Sequence, residues 1–154
     1  LKKWMIIVVL WVSLGGVAWW IWVGANAQDA AGFLEYENNK TIARGNEIYQ
    51  AQCATCHGAN LEGQPDWQSQ DEDGYLPAPP HDETGHTWHH PDAQLLAITK
   101  LGTAAIVGSG YQSRMIGFED VLTDEEISDV LSYIKSTWPK RVVETHNQIN
   151  RDSE

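Results

Sequence analysis

Cys53, Cys56 and His57 stand together as C-A-T-C-H, and they include both cysteines of the chain. Two thiols with two residues between them can form a redox dithiol, half of a zinc site, or an attachment pair for a haem. The adjacent imidazole selects among these. In C-x-x-C-H both thiols add to the vinyl groups of one haem while the histidine reaches its iron. A zinc site would need two further strong ligands at short spacing, and a thioredoxin-like dithiol would sit in a βαβ pattern that this sequence lacks. The expectation is one covalent haem c, with His57 as the proximal iron ligand because its backbone is pinned beside two thioether bonds.

For the opposite side of the iron the candidates are Met115 and the histidines His81, His86, His89, His90 and His146. Met5 falls in an apolar N-terminal stretch, so Met115 is the only methionine in the rest of the chain. In a domain without haem a lone methionine is usually core filling. Here it sits in a polar, glycine-flanked run, Y-Q-S-R-M-I-G-F, where no apolar stripe needs it, and Met115 is the expected second ligand. Thioether ligation raises the reduction potential relative to two histidines, which suits a carrier late in a respiratory chain. His81, Asp82, Glu83, His86, His89 and His90 are rich enough in imidazole and carboxylate to resemble a metal site. The plainer expectation is that His86 and Trp88 donate hydrogen bonds to the haem propionates, whose buried charge needs partners, while the other side chains are solvated. No site for organic chemistry is evident, so the expectation is an electron carrier and not an enzyme.

These residues need elements to hold them. Thr41, Ile42, Ile48 and Tyr49 suggest a helix from about Lys40 to Gln52 that ends at the attachment pair. Gly45 is costly inside a helix, and a close helix contact is the reason expected for it. Thr123 followed by Glu126 is a capping box, and Ile127, Val130, Leu131 and Ile134 recur at helical spacing until Trp138-Pro139 stops the run. Pro91 and Asp92 fit the first turn of a third helix carrying Leu95, Leu96, Ile98 and Leu101, with Gly102 as its terminator. Residues 58–90 and the glycine-rich stretch Gly102 to Gly110 read as loop. So much irregular chain is unusual in a small domain, unless a large apolar cofactor supplies the core it packs on.

Trp4 to Gly24 contains no charged residue for 21 positions, about 31 Å as a helix, which matches a bilayer's hydrocarbon core. Residues 1–24 are therefore expected as a transmembrane anchor, with Lys2 and Lys3 on the cytoplasmic side. The competing reading is a signal peptide cleaved after Ala25-Asn26-Ala27; both readings export the rest of the chain. Residues 25–38 read as a linker, 39–139 as one domain and 140–154 as a C-terminal tail. Past the anchor there are 21 acidic side chains against 8 basic ones, since Lys2 and Lys3 lie before it. Nucleic acid is thereby excluded as a partner, because phosphate binding needs a basic face.

Over roughly residues 41 to 139 the chain resembles the class I cytochrome c family, in particular a small membrane-anchored monohaem cytochrome of the bacterial respiratory kind. The resemblance rests on G-N-E-I-Y-Q-A-Q-C-A-T-C-H-G, A-P-P-H, the late methionine and L-T-D-E-E-I-S-D-V-L-S-Y-I-K, in that order. It implies a mainly α fold of three to four helices around one haem, with the first and last helices crossing at Gly45 and Tyr49 against Leu131 and Tyr133. It also implies that a proline carbonyl accepts the second ring N–H of His57, with Pro79 as the choice and Pro80 in reserve. One departure is plain: the family usually has proline directly after the methionine ligand, and here Ile116 follows Met115. The function implied is single-electron transfer on the periplasmic side of a bacterial inner membrane, between a quinol-oxidising complex and a terminal oxidase or reductase. A haem subunit fixed inside a larger membrane oxidoreductase would use the same ligands. A ligand-binding haem sensor or peroxidase would instead need a labile distal position.

Overall fold

A computed structural model describes residues 32–153. The expected anchor and the first part of the linker lie outside these residues. Among the described residues no helix is long and apolar enough to cross a membrane.

Helix α1 spans Asn39–Ile48, with the Asn38 side chain accepting from the Lys40 N–H at 3.1 Å. The chain continues without a break through a π-helical turn, Tyr49–Cys53, into the short α2, Ala54–His57. A long irregular stretch follows, closed by one 3-10 turn at Thr87–His89. Then come α3 (Asp92–Leu101), α4 (Thr103–Val107), α5 (Asp124–Ser136) and α6 (Lys140–Asp152). The described residues contain no strand, only an isolated antiparallel bridge between Gly102 and Ile116. The mainly α expectation is met.

The core lies where α1 crosses α5. A Cβ on Gly45 would stand 2.0 Å from the Asp129 carbonyl oxygen and 2.8 Å from Tyr133 Cβ, so only glycine lets the two backbones approach this closely. The crossing thus falls on Asp129 and Tyr133, with Leu131 buried in the same core. Around it Tyr49, Ile127, Val130 and Ile134 are buried, and the Tyr49 and Tyr133 rings lie 5.5 Å apart. Arg44 reaches across to pair with Asp129 at 2.9 Å. The capping box forms in both directions: Thr123 Oγ1 accepts from the Glu126 N–H at 3.2 Å, and the Glu126 carboxylate accepts from the Thr123 N–H at 2.8 Å. Two of the donors orphaned at a helix start are thereby satisfied.

Two segments differ from the sequence reading. After Gly102 the chain re-enters a helix for five residues, T-A-A-I-V, before Gly108 ends it; the flanking glycines had masked a short run that tolerates helix. Residues 140–154, expected as a tail, are helical from Lys140 to Asp152 and pack back on the domain through Val142, His146 and Asn150. That buried face is mostly polar, which is why hydrophobic periodicity does not reveal it. Its partner is Asp92. Asn150 Nδ2 donates to the Asp92 carboxylate at 3.1 Å and Asn150 Oδ1 accepts the Asp92 N–H at 2.8 Å. The Leu34 N–H donates to the other carboxylate oxygen at 3.1 Å, and His146 Nε2 donates to the His90 carbonyl at 2.9 Å. Lys135 Nζ lies 3.9 Å from Asp92 and 4.6 Å from the centre of the Tyr36 ring. A buried carboxylate is tolerable only with such a set of partners, and the set ties the chain near Leu34 and α6 to α3 and α5.

Candidate haem site

The π turn Tyr49–Cys53 leads directly into the residues expected to hold the haem, and π turns inside helices are frequent at functional sites. Cys53 is half-buried, Cys56 exposed and His57 buried. The Tyr49 hydroxyl donates to the Gly58 carbonyl at 2.9 Å, fixing the chain immediately after His57. The loop that follows folds back on the same point. Its Gly63 N–H donates to the His57 carbonyl at 2.7 Å, the Gln64 N–H to the Ala78 carbonyl at 2.8 Å, and the His81 N–H to the Leu61 carbonyl at 2.8 Å. Gly63 lies so close to the Pro79-Pro80 peptide that a Cβ would be 2.4 Å from Pro80 N.

This folding-back brings A-P-P-H onto the imidazole. His57 Nδ1 is 2.8 Å from the Pro79 carbonyl oxygen. A carbonyl can only accept, so the Nδ1 proton points at Pro79 and Nε2 is left as the free ligand nitrogen. Pro79, not Pro80, is the acceptor. Burial lowers the His57 pKa, opposed by the bond to Pro79, so the ring is held neutral, as a metal ligand must be.

The Cys53 thiol behaves differently from that of a redox pair. Burial, and secondarily the neighbouring Cys56, pushes the Cys53 thiol up to about 11, whereas a redox or metal-handling dithiol depends on a thiolate near neutral pH. Among the described residues no group of three or more His, Cys, Asp or Glu side chains is arranged to hold a metal ion. The histidines after Pro80 have other engagements. His81 stacks on His57 with ring centroids 4.0 Å apart, and its Nδ1 is 2.7 Å from Thr87 Oγ1. His86 stacks on Trp67 at 5.6 Å and meets the His90 ring edge-on at 5.3 Å. Trp88 stacks on His89 at 3.7 Å, with its indole N–H donating to the Glu83 carbonyl at 3.3 Å. His146 is buried on the inner face of α6, with its Nε2 on the His90 carbonyl.

Met115 is half-buried in a loop secured from both sides. Its own N–H donates to Ser113 Oγ at 3.1 Å. On one side Ile116 bridges Gly102, and the Phe118 and Glu119 N–H groups donate to the Lys100 carbonyl at 3.0 and 3.1 Å. On the other, Arg114 pairs with Asp71 and, at 2.8 Å, with Asp73, while its guanidinium sits 4.3 Å above the Tyr75 ring. These contacts hold the loop where the family's proline is missing. Asp71 and Asp73 therefore have a local task, anchoring this loop through Arg114. Among the described residues no hydrogen bond or ring contact joins Met115, His86 or Trp88 directly to His57. The donor set is two thiols, one imidazole nitrogen freed by its Pro79 bond, and one thioether. Leu101, Tyr111 and Ile116, on the segments bordering Met115, leave large apolar side chains exposed. Haem c fits this combination: the thiols can attach it, the imidazole nitrogen and the thioether can serve as iron ligands, and the apolar side chains can cover its faces.

Comparison with known proteins agrees. The cytochrome c family model matches residues 42–138, from α1 to the end of α5. No curated protein and no solved structure matches the chain. The matched span takes in the attachment motif, Pro79, Met115 and both crossing helices, and the chain accordingly belongs to the cytochrome c family: a haem-based electron carrier with covalently bound haem c.

Proposed function

We propose that the protein transfers single electrons between membrane respiratory complexes, a quinol-oxidising complex and a terminal oxidase or reductase, from the periplasmic side of a bacterial inner membrane. The observation that supports the electron-transfer part of this reading is the 2.8 Å contact from His57 Nδ1 to the Pro79 carbonyl beside the two cysteines, because it leaves Nε2 free to bind an iron. When bound, haem c supplies an iron that exchanges one electron at a time without bond making. The chain's residues set the rest. Cys53 and Cys56 would hold the group covalently, and His57 and Met115 would supply its two iron ligands, a set suited to electron exchange. His86 is assigned to the propionates; the Trp88 indole N–H, expected there too, is given instead to the Glu83 carbonyl. The surplus of acidic side chains favours partners with a basic docking face. An anchor over residues 1–24 would raise the local concentration of a membrane-bound partner without any new contact.

Near-infrared magnetic circular dichroism of the oxidised protein tests the ligand set. The expected spectrum is that of histidine–methionine ligation, and a bis-histidine signature would remove Met115 and with it the high-potential carrier. Fractionation tests the location: the protein should stay with membranes through a high-salt wash, and a mature N-terminus at Gln28 would show that the apolar segment is cleaved.

A further inference from the structure

The proximal imidazole has a second partner besides Pro79. The ring of His81 lies against that of His57 with centroids 4.0 Å apart and planes 26° from parallel. A ring stacked face to face on an axial imidazole lies on the same side of the porphyrin as that imidazole, so His81 belongs to the proximal side and is no competitor for the distal position.

His81 is held more firmly than a space-filling side chain needs to be. Its N–H donates to the Leu61 carbonyl at 2.8 Å, and its carbonyl accepts the Trp138 indole N–H at 2.7 Å. Its Nδ1 meets the hydroxyl of the buried Thr87 at 2.7 Å, and the Tyr49 ring approaches edge-on at 6.1 Å. Leu61, which supplies the accepting carbonyl, has φ 70, a left-handed conformation that is strained for a non-glycine residue. Local strain is thus accepted at the place where the His81 backbone is fixed.

The two partners of His57 restrain different motions. The bond to Pro79 fixes where Nδ1 points, but an N–H···O contact tolerates tens of degrees of misalignment before it weakens steeply. Turning the ring about the axis through Nε2 would drive its edge into the His81 plane, and close-packed contact resists that sterically. The orientation of an axial imidazole about this axis determines its π overlap with the iron, and with it the anisotropy of the oxidised low-spin state and part of the reduction potential. We propose that His81 is a positioning residue, whose planar face locks the rotation of the His57 imidazole and thereby sets the electronic state of the haem. The proposal rests on the reading of His57 as the axial ligand.

The test uses the full haem-loaded chain, with electron paramagnetic resonance of the oxidised state and an equilibrium redox titration. His81→Ala should displace and broaden the low-spin g-values and shift the potential, while His81→Phe, which restores a planar face, should return both toward wild type. Thr87→Val keeps the ring and removes its anchor, and should broaden the g-values in the same sense. A folded His81→Ala protein with wild-type g-values and potential would overturn the proposal. So would equal shifts in His81→Ala and His81→Phe, which would point to lost packing and not to a lost ring face. If His81→Ala does not fold, Thr87→Val decides, and unchanged g-values there overturn the proposal. A wild-type protein without a low-spin, imidazole-ligated spectrum would overturn this proposal together with the ligand reading beneath it, an outcome distinct from an inert His81 in a normal wild type.

Discussion

Replacing Gly45 by alanine sets two known magnitudes against each other. In an isolated helix the change stabilises, by about 1 kcal/mol. In this structure the added Cβ would stand 2.0 Å from the Asp129 carbonyl oxygen, 2.6 Å from the Asp129 carbonyl carbon and 2.8 Å from Tyr133 Cβ. Ordinary contact lies near 3.5 Å, so α1 and α5 would have to part by more than about 1 Å. Two of the three obstructing atoms belong to backbone and cannot turn aside as a side chain could. A gap of about 1 Å forfeits a quarter to a half of each dispersion contact across it, and Tyr49, Ile127, Val130 and Ile134 all pack there. Overpacking of this kind costs about 1–3 kcal/mol, with the upper end expected against backbone. The net effect is a loss of about 1–2 kcal/mol, or a fall in Tm of roughly 2–8 °C for a chain of this size. Thermal denaturation of the haem-loaded protein, with the exposed Asn46→Ala as control, reads it directly. A Gly45→Ala protein as stable as wild type would refute the close crossing of α1 and α5.

Two further outcomes follow from the site and from α6. Met115→Ala should open the sixth position, lower the reduction potential and let carbon monoxide bind the reduced protein, with the haem still attached; optical titration with carbon monoxide checks this. His146 should make stability fall in mild acid. Burial first, and the Lys135 charge second, lower its pKa to about 4 against the opposing pull of Asp92 and the His90 carbonyl. The folded state therefore keeps His146 neutral, while the unfolded chain takes up a proton near the ordinary value of 6.5. Between those values the unfolded state binds more protons, so stability drops as pH falls from about 6.5 toward about 4. His146→Gln should flatten that part of the denaturation profile; an unchanged slope would count against a neutral, buried His146.

The parts of this molecule legible in the sequence are those whose signal is local. Cys53, Cys56 and His57 are contiguous, the Thr123–Glu126 box marks the start of α5, and Gly45 inside a helical pattern announced a close approach. Pro79 was reached through the order of the family's motifs, and the structure supplies the contact that singles it out from Pro80. What escaped depends on long-range placement. The face of α6 that packs on the domain is His146 and Asn150 with one valine, so its burial is explained by Asp92, more than fifty residues earlier in the chain. Arg114 reads as a surface charge until the loop at Asp71 and Asp73 is brought beneath it. His81 reads as one of several solvated histidines until the loop through Leu61 folds back and its ring lies against His57.

Covalent attachment of one haem to Cys53 and Cys56 is read out by extracting the denatured protein with acidified acetone. The haem should remain with the polypeptide, with both thiols unavailable to alkylating reagents, and Cys53→Ala combined with Cys56→Ala should lose it altogether. Haem passing wholly into the organic phase from the wild-type protein, with two free thiols left on the chain, would mean that neither cysteine is bonded to it.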